Sequence, residues 1–424
     1  RLRTLGPRSA SSENAVAGTE APDPMRSLAK QRFRWSFGTL QCAWKHRLSL
    51  FKPRYGTLGW IALPNTWLFQ LLLTALSPLA DLLFVYGLLS VWLTATSGEE
   101  ASVGHLYGQV RTYLNKADRK TEDALIQLPA YGQAYKAIYA AAAAGSVVLE
   151  RAYARLDKLK ILTAVPLLAW LRILPPAQLA LHDHERAVLA VESWVVRRMI
   201  TGANTRGYGA AFMSVLKTAQ LAARTLDADI ADAVISGLAG SPNSLSWPTA
   251  DAIQYAFANS TFYGPFTPER IRLLLGSIDA QLQSDNPKTE PASFAYEGMQ
   301  IEHVMPQGWK DHWPLENLEG PEAIEAEATR NSFVHRMGNL TLVTPTFNQS
   351  VSNHSWAEKK PEFAIQSSLQ LNIAIASRPN WDEESISTRA EALADVACRI
   401  WASSSTLTSS VQACMDLEPR AADS

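Results

Sequence analysis

A glutamate and a histidine stand next to each other at the end of a short β-prone run, as Glu302 and His303. A second β-prone run begins at Asn339, and a further asparagine, Asn348, follows nine positions later (348 − 339 = 9). Histidine titrates near neutral pH and can deprotonate water, whereas carboxylate and amide oxygens suit a hard cation such as Mg²⁺ or Mn²⁺. These residue types therefore indicate metal-assisted hydrolysis of a phosphodiester, in which the cation neutralises charge on the phosphate.

Two strands and a helix are needed to bring these residues together. The first strand would deliver His303, the second would begin at Asn339, and the following helix would present Asn348. Because adjacent residues of a strand point to opposite faces, Glu302 and His303 share a site only if the strand ends or bends between them. The pattern predicts a ββα-metal (HNH, His-Me finger) unit, in which the ligating atoms lie roughly 4–7 Å apart across a bound cation.

Two sequence blocks carry a resemblance to a known family: IEHVMPQ at 301–307 and HRMGNLTL at 335–342. Together with the later residues of the pattern, they resemble the C-terminal HNH domain of modification-dependent, GmrSD-type restriction endonucleases, over about residues 104–402. The later residues are Asn348, Ser352, Asn353, Trp356 and Lys359.

That resemblance implies a role for each residue of the pattern. His303 would be the general base, Glu302 and Asn348 would hold Mg²⁺ or Mn²⁺, and Asn339 would brace the loop around the histidine. DNA, with or without base modification, would be the substrate. His354 is an alternative ligand, although the nine-residue spacing favours Asn348.

Other polar side chains beside these motifs are candidate contacts to DNA phosphate. They are His335, Arg336, Lys359 and Lys360. A structural hydrogen bond is the alternative for His335, and a solvated helix face is the alternative for the two lysines.

The composition restricts where DNA can bind. The chain of 424 residues has 39 Lys and Arg against 40 Asp and Glu, a net charge of −1, so any DNA surface must be a local patch. Its three cysteines, Cys42, Cys398 and Cys414, are far apart. We therefore expect neither a disulfide framework nor a zinc knuckle, and we predict the cytoplasm for the nuclease part.

Residues 1–100 have a different character. Arg26 to Arg54 contains eight basic residues and no acid, and an apolar tract from Thr57 to Thr96 follows, with Asp81 as its only charge. Ser77-Pro78 divides this tract into two pieces of about twenty residues, each near bilayer-spanning length. We predict an N-terminal membrane-type helical hairpin of two transmembrane helices in the inner membrane, with the basic flank on the cytoplasmic side. A buried hairpin in a soluble core is the alternative.

A second motif lies within the basic flank. Gln31, Arg34 and Trp35 match a Gln-x-x-Arg-Trp motif and resemble the tail of membrane-bound family 2 glycosyltransferases. The resemblance implies that these side chains line a sugar site and that the tryptophan stacks on an acceptor. No Asp-x-Asp metal motif precedes them, so we expect an inert interfacial helix. Because the chain begins at Arg1 and not at Met, we expect it to continue a longer reading frame.

The whole pattern predicts a mainly α protein. The predicted domains are a glycosyltransferase-like tail with the hairpin (1–100), a helical connecting domain (101–297), the HNH nuclease domain (298–402) and a flexible tail (403–424). The predicted function is a metal-dependent DNA endonuclease of the restriction or defence type. The alternatives are a fragment of a family 2 glycosyltransferase in residues 1–97, or a non-catalytic DNA-binding remnant of a restriction system.

Overall fold

Two units make up the chain in a computed structural model, Arg1–Tyr86 and Gly87–Ser424. Of the residues that the structure describes, 74% are helical and two short runs form strands, which confirms the mainly α fold. The sequence places its first domain boundary near residue 100, whereas the contacts divide the chain between Tyr86 and Gly87. The structure describes residues 25–116, 121–140, 144–225, 228–286, 288, 292, 294–311, 313, 315, 319–351 and 353–408.

The apolar tract forms one continuous helical run rather than a hairpin. Helix α1 spans Met25–Lys45, and helix α2 spans Leu58–Ser97, 40 residues long. Pro78 lies inside α2, but the helix continues through it, so the predicted turn at Ser77-Pro78 is wrong. A proline removes one backbone hydrogen bond and can kink a helix without reversing it. Wide π-type turns flank the other proline of α2, Pro64, on both sides.

The second unit is a helical assembly that holds one small sheet. Nine helices precede the sheet: α3 (Leu106–Leu114), α4 (Thr121–Tyr139), α5 (Val147–Leu159), α6 (Val165–Ile173), α7 (Leu181–Ile200), α8 (Tyr208–Ala222), α9 (Ile230–Ala239), α10 (Ala250–Asn259) and α11 (Pro268–Asp285), counted over the described residues. The elements from the sheet onward are β1 (Gln300–His303), α12 (Gly320–Val334), β2 (Leu340–Val343), α13 (Pro345–Val351), α14 (Trp356–Gln366), α15 (Gln370–Ala376) and α16 (Glu383–Ile400).

Helix α7 joins the helical part of this unit to the part that carries the sheet. Its Glu192 is buried and accepts hydrogen bonds from Arg155 on α5 (2.5 Å) and from the Trp401 ring nitrogen just after α16 (2.7 Å). Arg197, also buried, donates to the Trp401 carbonyl. A buried charge needs such partners because desolvation otherwise opposes burial. These bonds fix the end of α16, which packs against the turn before β2.

Strands β1 and β2 form an antiparallel pair. The register runs from Gln300 opposite Val343 to His303 opposite Leu340. All four residues of β2 are buried, as expected of a strand covered on both faces. A hydrophobic cluster surrounds the end of β1 and includes Val304, Met305, Trp309, Trp313, Val334, Val343, Phe347, Phe363, Ile375, Trp381 and Ile386. The sheet is therefore a rigid support for the residues at its end.

Candidate active site

Glu302 and His303 lie on opposite faces of β1. The pairing with β2 continues through both residues, with Glu302 opposite Thr341 and His303 opposite Leu340. The expected bend between them is therefore wrong, because side chains alternate along a paired strand. The strand ends directly after His303, where the Val304 amide donates to the Asn339 carbonyl (3.0 Å). The two side chains share this end of β1 from its two faces.

The His303 imidazole lies in a closed pocket of polar and aromatic side chains. Its Nε2 is 3.1 Å from Nδ1 of His335, and its Nδ1 is 3.4 Å from the side-chain nitrogen of Gln307. The Tyr263 ring packs edge-on against it, with 4.6 Å between the ring centroids. Only 6% of His303 is exposed. Burial, and to a smaller extent repulsion from His335 and Lys359, lowers the pKa of His303 to about 3, so the ring is neutral.

On the other face of β1, Glu302 is paired with a buried lysine. Lys359 of α14 donates to the Glu302 carboxylate (2.6 Å) and to the His303 carbonyl (2.9 Å). Burial raises the pKa of Glu302 and lowers the pKa of Lys359, because the loss of water disfavours both charges and the mutual attraction offsets only part of that cost. Lys359 is 0% exposed, so both expectations for it, a phosphate contact and a solvated face, are wrong.

Asn339 holds the loop that follows β1. Its amide nitrogen donates to the carbonyls of Met305 and Val334 (both 2.8 Å). Its amide oxygen accepts from the Met305 backbone nitrogen (2.8 Å) and from the Trp381 ring nitrogen (3.0 Å). The side chain is fully buried, and these four bonds connect the loop after β1, the end of α12 and the start of α16. Asn339 therefore braces the loop that follows His303.

Asn348 reaches β1 through Gln300. Its amide nitrogen donates to the Gln300 side-chain oxygen (2.7 Å). Gln300 and Glu302 are two positions apart on the strand and so share a face, which puts both predicted metal ligands on the same side of β1. Among the described residues, no group of three or more His, Cys, Asp or Glu side chains could hold a metal ion. A carboxylate and an amide oxygen are donors that Mg²⁺ takes, with water and phosphate completing its shell. A cation at Glu302 would have to share the carboxylate with the Lys359 ammonium, which lies 2.6 Å from it.

The other predicted phosphate contacts have different surroundings. Arg336 donates to Ser332 and to the Ala258 carbonyl, and its guanidinium lies 3.7 Å from the centre of the Phe333 ring. Each of its three nitrogens makes one hydrogen bond within the protein, which leaves N–H groups available, so the phosphate contact of Arg336 stays a prediction. Lys360 is half-buried.

The alternative ligand and the described residues of the sugar motif are exposed. His354 is exposed, and its carbonyl accepts from the Trp313 ring nitrogen. Arg34 and Trp35 are exposed on α1, with Trp35 66% exposed, whereas the Gln31 side chain lies outside the described residues.

Three residues of the site region have no signal in the local sequence. Tyr263 lies between α10 and α11, forty positions before His303. Arg389 of α16 donates to the carbonyls of Gly338 and Leu340 (2.7 and 2.8 Å), and Asn372 of α15 bonds to Thr341 and to the Leu342 carbonyl. All three meet the sheet through tertiary packing alone.

The turn before β2 requires its glycine. A Cβ on Gly338 would lie 2.1 Å from the carbonyl oxygen of Ile386 on α16. Any other residue there would push α16 away from Asn339 and from the sheet.

The residues of the candidate site lie in a segment of the chain that matches the model of a known protein family. Residues 247–396 match the family model described as GmrSD restriction endonucleases, C-terminal domain. The matched range is narrower than the 104–402 expected from the sequence, and it contains Tyr263, both strands and Lys359. No curated protein matches the chain. The match supports a C-terminal region of the GmrSD restriction endonuclease type, to which the site residues belong.

Proposed function

We propose that this protein is a metal-dependent DNA endonuclease of the restriction type, with His303 as general base. The observation that carries the proposal is a neutral, hydrogen-bonded histidine at the end of a braced strand, inside the segment that matches the restriction endonuclease family. A neutral imidazole is the protonation state that a general base requires. The family's printed activity supports DNA as the substrate.

Each residue has a specific part in the proposed hydrolysis. His303 removes a proton from the attacking water, and Asn339 fixes the loop that orients the imidazole. Glu302 and Asn348 are the oxygen donors that would hold the cation. They lie on the face of β1 opposite His303, so the phosphate would have to reach both faces at the end of the strand. When bound, Mg²⁺ or Mn²⁺ would supply charge neutralisation at the phosphate and the leaving oxygen. Lys359 keeps Glu302 in place, since its ammonium bonds both the carboxylate and the adjacent carbonyl.

The closed pocket must open for this chemistry. With 6% of its surface exposed, His303 has no room for a water and a phosphate. Tyr263 is the side chain that covers it, and the next residue, Gly264, has φ +105°, a conformation that suits glycine. Displacement of the Tyr263 ring admits water and removes the main cause of the low pKa of His303, its desolvation. The pKa of His303 therefore rises when substrate enters the pocket, and the imidazole becomes a stronger base.

We expect Asn348→Ala to lower Mg²⁺-dependent nicking of plasmid DNA, with part of the loss recovered at higher Mg²⁺ or with Mn²⁺. The reason is that one oxygen donor is lost, which weakens the affinity for the cation without removing the base. Rates measured across a metal titration test this, and EDTA should abolish cleavage by the unmodified protein. Asn380→Ala, a substitution of an exposed asparagine that is not among the proposed metal ligands, is the matched control and should leave the titration unchanged. Equal metal curves for Asn348→Ala and the unmodified protein would remove Asn348 from the metal site.

We also propose that the first unit associates with a membrane through α2. The most apolar window of this helix has a mean hydropathy of 1.9, and 0% of that window is buried in the protein. Exposed leucines and aromatics of this kind are costly in water and stable in hydrocarbon. Forty residues at 1.5 Å per residue give a helix about 60 Å long, against a hydrocarbon thickness of about 30 Å. The helix is therefore long enough to cross the bilayer and continue beyond it.

We expect the full-length protein to sediment with membranes, to resist a carbonate wash and to be released by detergent. A fragment of residues 87–424, which keeps the whole second unit and lacks α1 and most of α2, should remain in the supernatant. Fractionation followed by immunoblotting measures both. Monodisperse full-length protein in the absence of detergent would contradict membrane association.

A further inference from the structure

The hydrogen bonds around His303 define one set of donors and acceptors. The side-chain nitrogen of Gln307 can only donate, so Nδ1 of His303, 3.4 Å away, is the acceptor. A neutral imidazole carries a single proton, which therefore lies on Nε2. Nε2 is 3.1 Å from Nδ1 of His335, and that nitrogen must accept. His335 then carries its own proton on Nε2.

His335 is held in place by the segment between α10 and α11. Its carbonyl accepts from the amide nitrogens of Phe262 (2.9 Å) and Tyr263 (3.4 Å). The Tyr263 ring stacks on its imidazole, with 5.6 Å between centroids and 14° between the planes. The next residue, Arg336, bonds to the Ala258 carbonyl at the end of α10. The ring contact holds His335 while the pocket is closed, and the backbone bonds still hold it when the Tyr263 ring is displaced, as an acceptor in a defined direction requires.

We infer that His335 is a positioning residue, whose Nδ1 accepts the Nε2 proton of His303 and so makes Nδ1 of His303 the nitrogen that takes the proton from water. The inference rests on the proposed nuclease function. It replaces the expected phosphate contact, because the nitrogen of His335 nearest the site points to His303 and not to solvent. It also explains the long contact to Gln307: at 3.4 Å this bond is weak, and a water can displace it from Nδ1.

The choice of tautomer decides whether the base works. With its proton on Nδ1, His303 would present an N–H group to the attacking water and could not accept a proton there. Removal of the His335 acceptor leaves both tautomers accessible, and the ring is then also free to rotate. A general base contributes about 10²–10⁴ in rate, so loss of the acceptor should cost roughly 10² in kcat, with little effect on substrate binding.

The tautomer can be measured without DNA or metal. We would label histidine with ¹⁵N in the full-length protein, held in detergent, and assign the His303 signals by comparison with His303→Gln. The expected spectrum has an unprotonated Nδ1 and a protonated Nε2. His335→Ala should shift His303 toward a mixture, whereas His335→Asn, which can place an amide oxygen where Nδ1 stood, should restore the original tautomer. A protonated Nδ1 in the unmodified protein, or the same tautomer in His335→Ala, would overturn the inference.

Kinetics separate positioning from phosphate binding. His335→Ala should lower kcat for plasmid nicking about 10²-fold and leave KM within about twofold, with His335→Asn recovering most of the loss. A raised KM with unchanged kcat would make His335 a phosphate contact and contradict the inference. If His335→Ala does not fold, His335→Leu fills the space beside Tyr263 without an acceptor and takes its place. If the unmodified protein does not cleave DNA, the proposed function fails, and the ¹⁵N spectrum still decides the hydrogen-bond arrangement.

Discussion

His303→Ala is expected to abolish Mg²⁺-dependent cleavage of DNA, with a rate loss of about 10²–10⁴, while the protein stays folded. A general base acts on the barrier of the reaction, whereas DNA affinity comes mainly from phosphate contacts elsewhere. The substitution also removes a buried ring and its bonds to His335 and Gln307. We therefore expect a destabilisation of about 1–3 kcal/mol, too small to unfold a domain of this size. Plasmid nicking, thermal melting and DNA binding by fluorescence anisotropy measure the three effects.

His182→Ala provides the matched control for that experiment. His182 lies in the first turn of α7 with 58% of its side chain exposed and pairs with the neighbouring Asp183, so its loss should change neither activity nor melting. Full activity in His303→Ala would exclude the proposed mechanism. Loss of folding in His303→Ala would show that the histidine is a structural residue, and His303→Gln, which retains polar atoms in the pocket, would then separate the two roles.

The sequence predicts the parts of the site that depend on neighbours along the chain. The β-prone runs form β1 and β2, and the Gly338-Asn339 pair stands in the turn where close packing on α16 excludes a side chain. Hydrophobic periodicity and turn residues are local properties of the sequence. They predict the observed elements here because tertiary packing favours the same local structures. The spacing between Asn339 and Asn348 likewise places a helix directly after the second strand.

The partner of a side chain, by contrast, cannot be predicted from its neighbours along the chain, as Lys359 illustrates. A lysine followed by a second lysine on a helix usually faces water. Here the first of the pair, Lys359, is buried, because a carboxylate 57 positions earlier in the chain, Glu302, meets it across the strand. The second, Lys360, is half-buried. Nothing in the spacing of two charges distinguishes them, since the burial of each depends on how α14 is rotated against β1.

The cover of His303 has the same non-local origin. Tyr263 approaches the histidine because the segment after α10 pairs with the residues before β2, at an isolated bridge between Thr261 and Arg336. In the sequence, Tyr263 is an ordinary aromatic residue of a loop.

The hairpin predicted for the apolar tract is wrong for a local reason. A proline between two apolar spans suggests a turn, but a single proline does not end a helix whose neighbouring residues all favour it, and α2 continues through Pro78.

Asn339→Ala should reduce stability and activity together, unlike His303→Ala. The substitution leaves four buried groups without their partner: the Met305 nitrogen and carbonyl, the Val334 carbonyl and the Trp381 ring nitrogen. An unsatisfied buried polar group costs about 1–3 kcal/mol, and since partial rearrangement relieves some of it, we expect a loss of about 3–5 kcal/mol.

Activity should fall even below the melting temperature of the Asn339→Ala variant. The loop that Asn339 braces follows His303 directly and carries Gln307. Asn339 also holds the Val334 carbonyl, directly before His335, so the substitution loosens the attachment of both partners of the imidazole. Thermal melting and plasmid nicking at a temperature where the variant is folded measure the two losses separately. Asn380→Ala, at an exposed position close to α16, is the control and should match the unmodified protein. A change in unfolding free energy below about 1 kcal/mol would contradict the bracing role, because four buried hydrogen bonds cannot be lost at so small a cost.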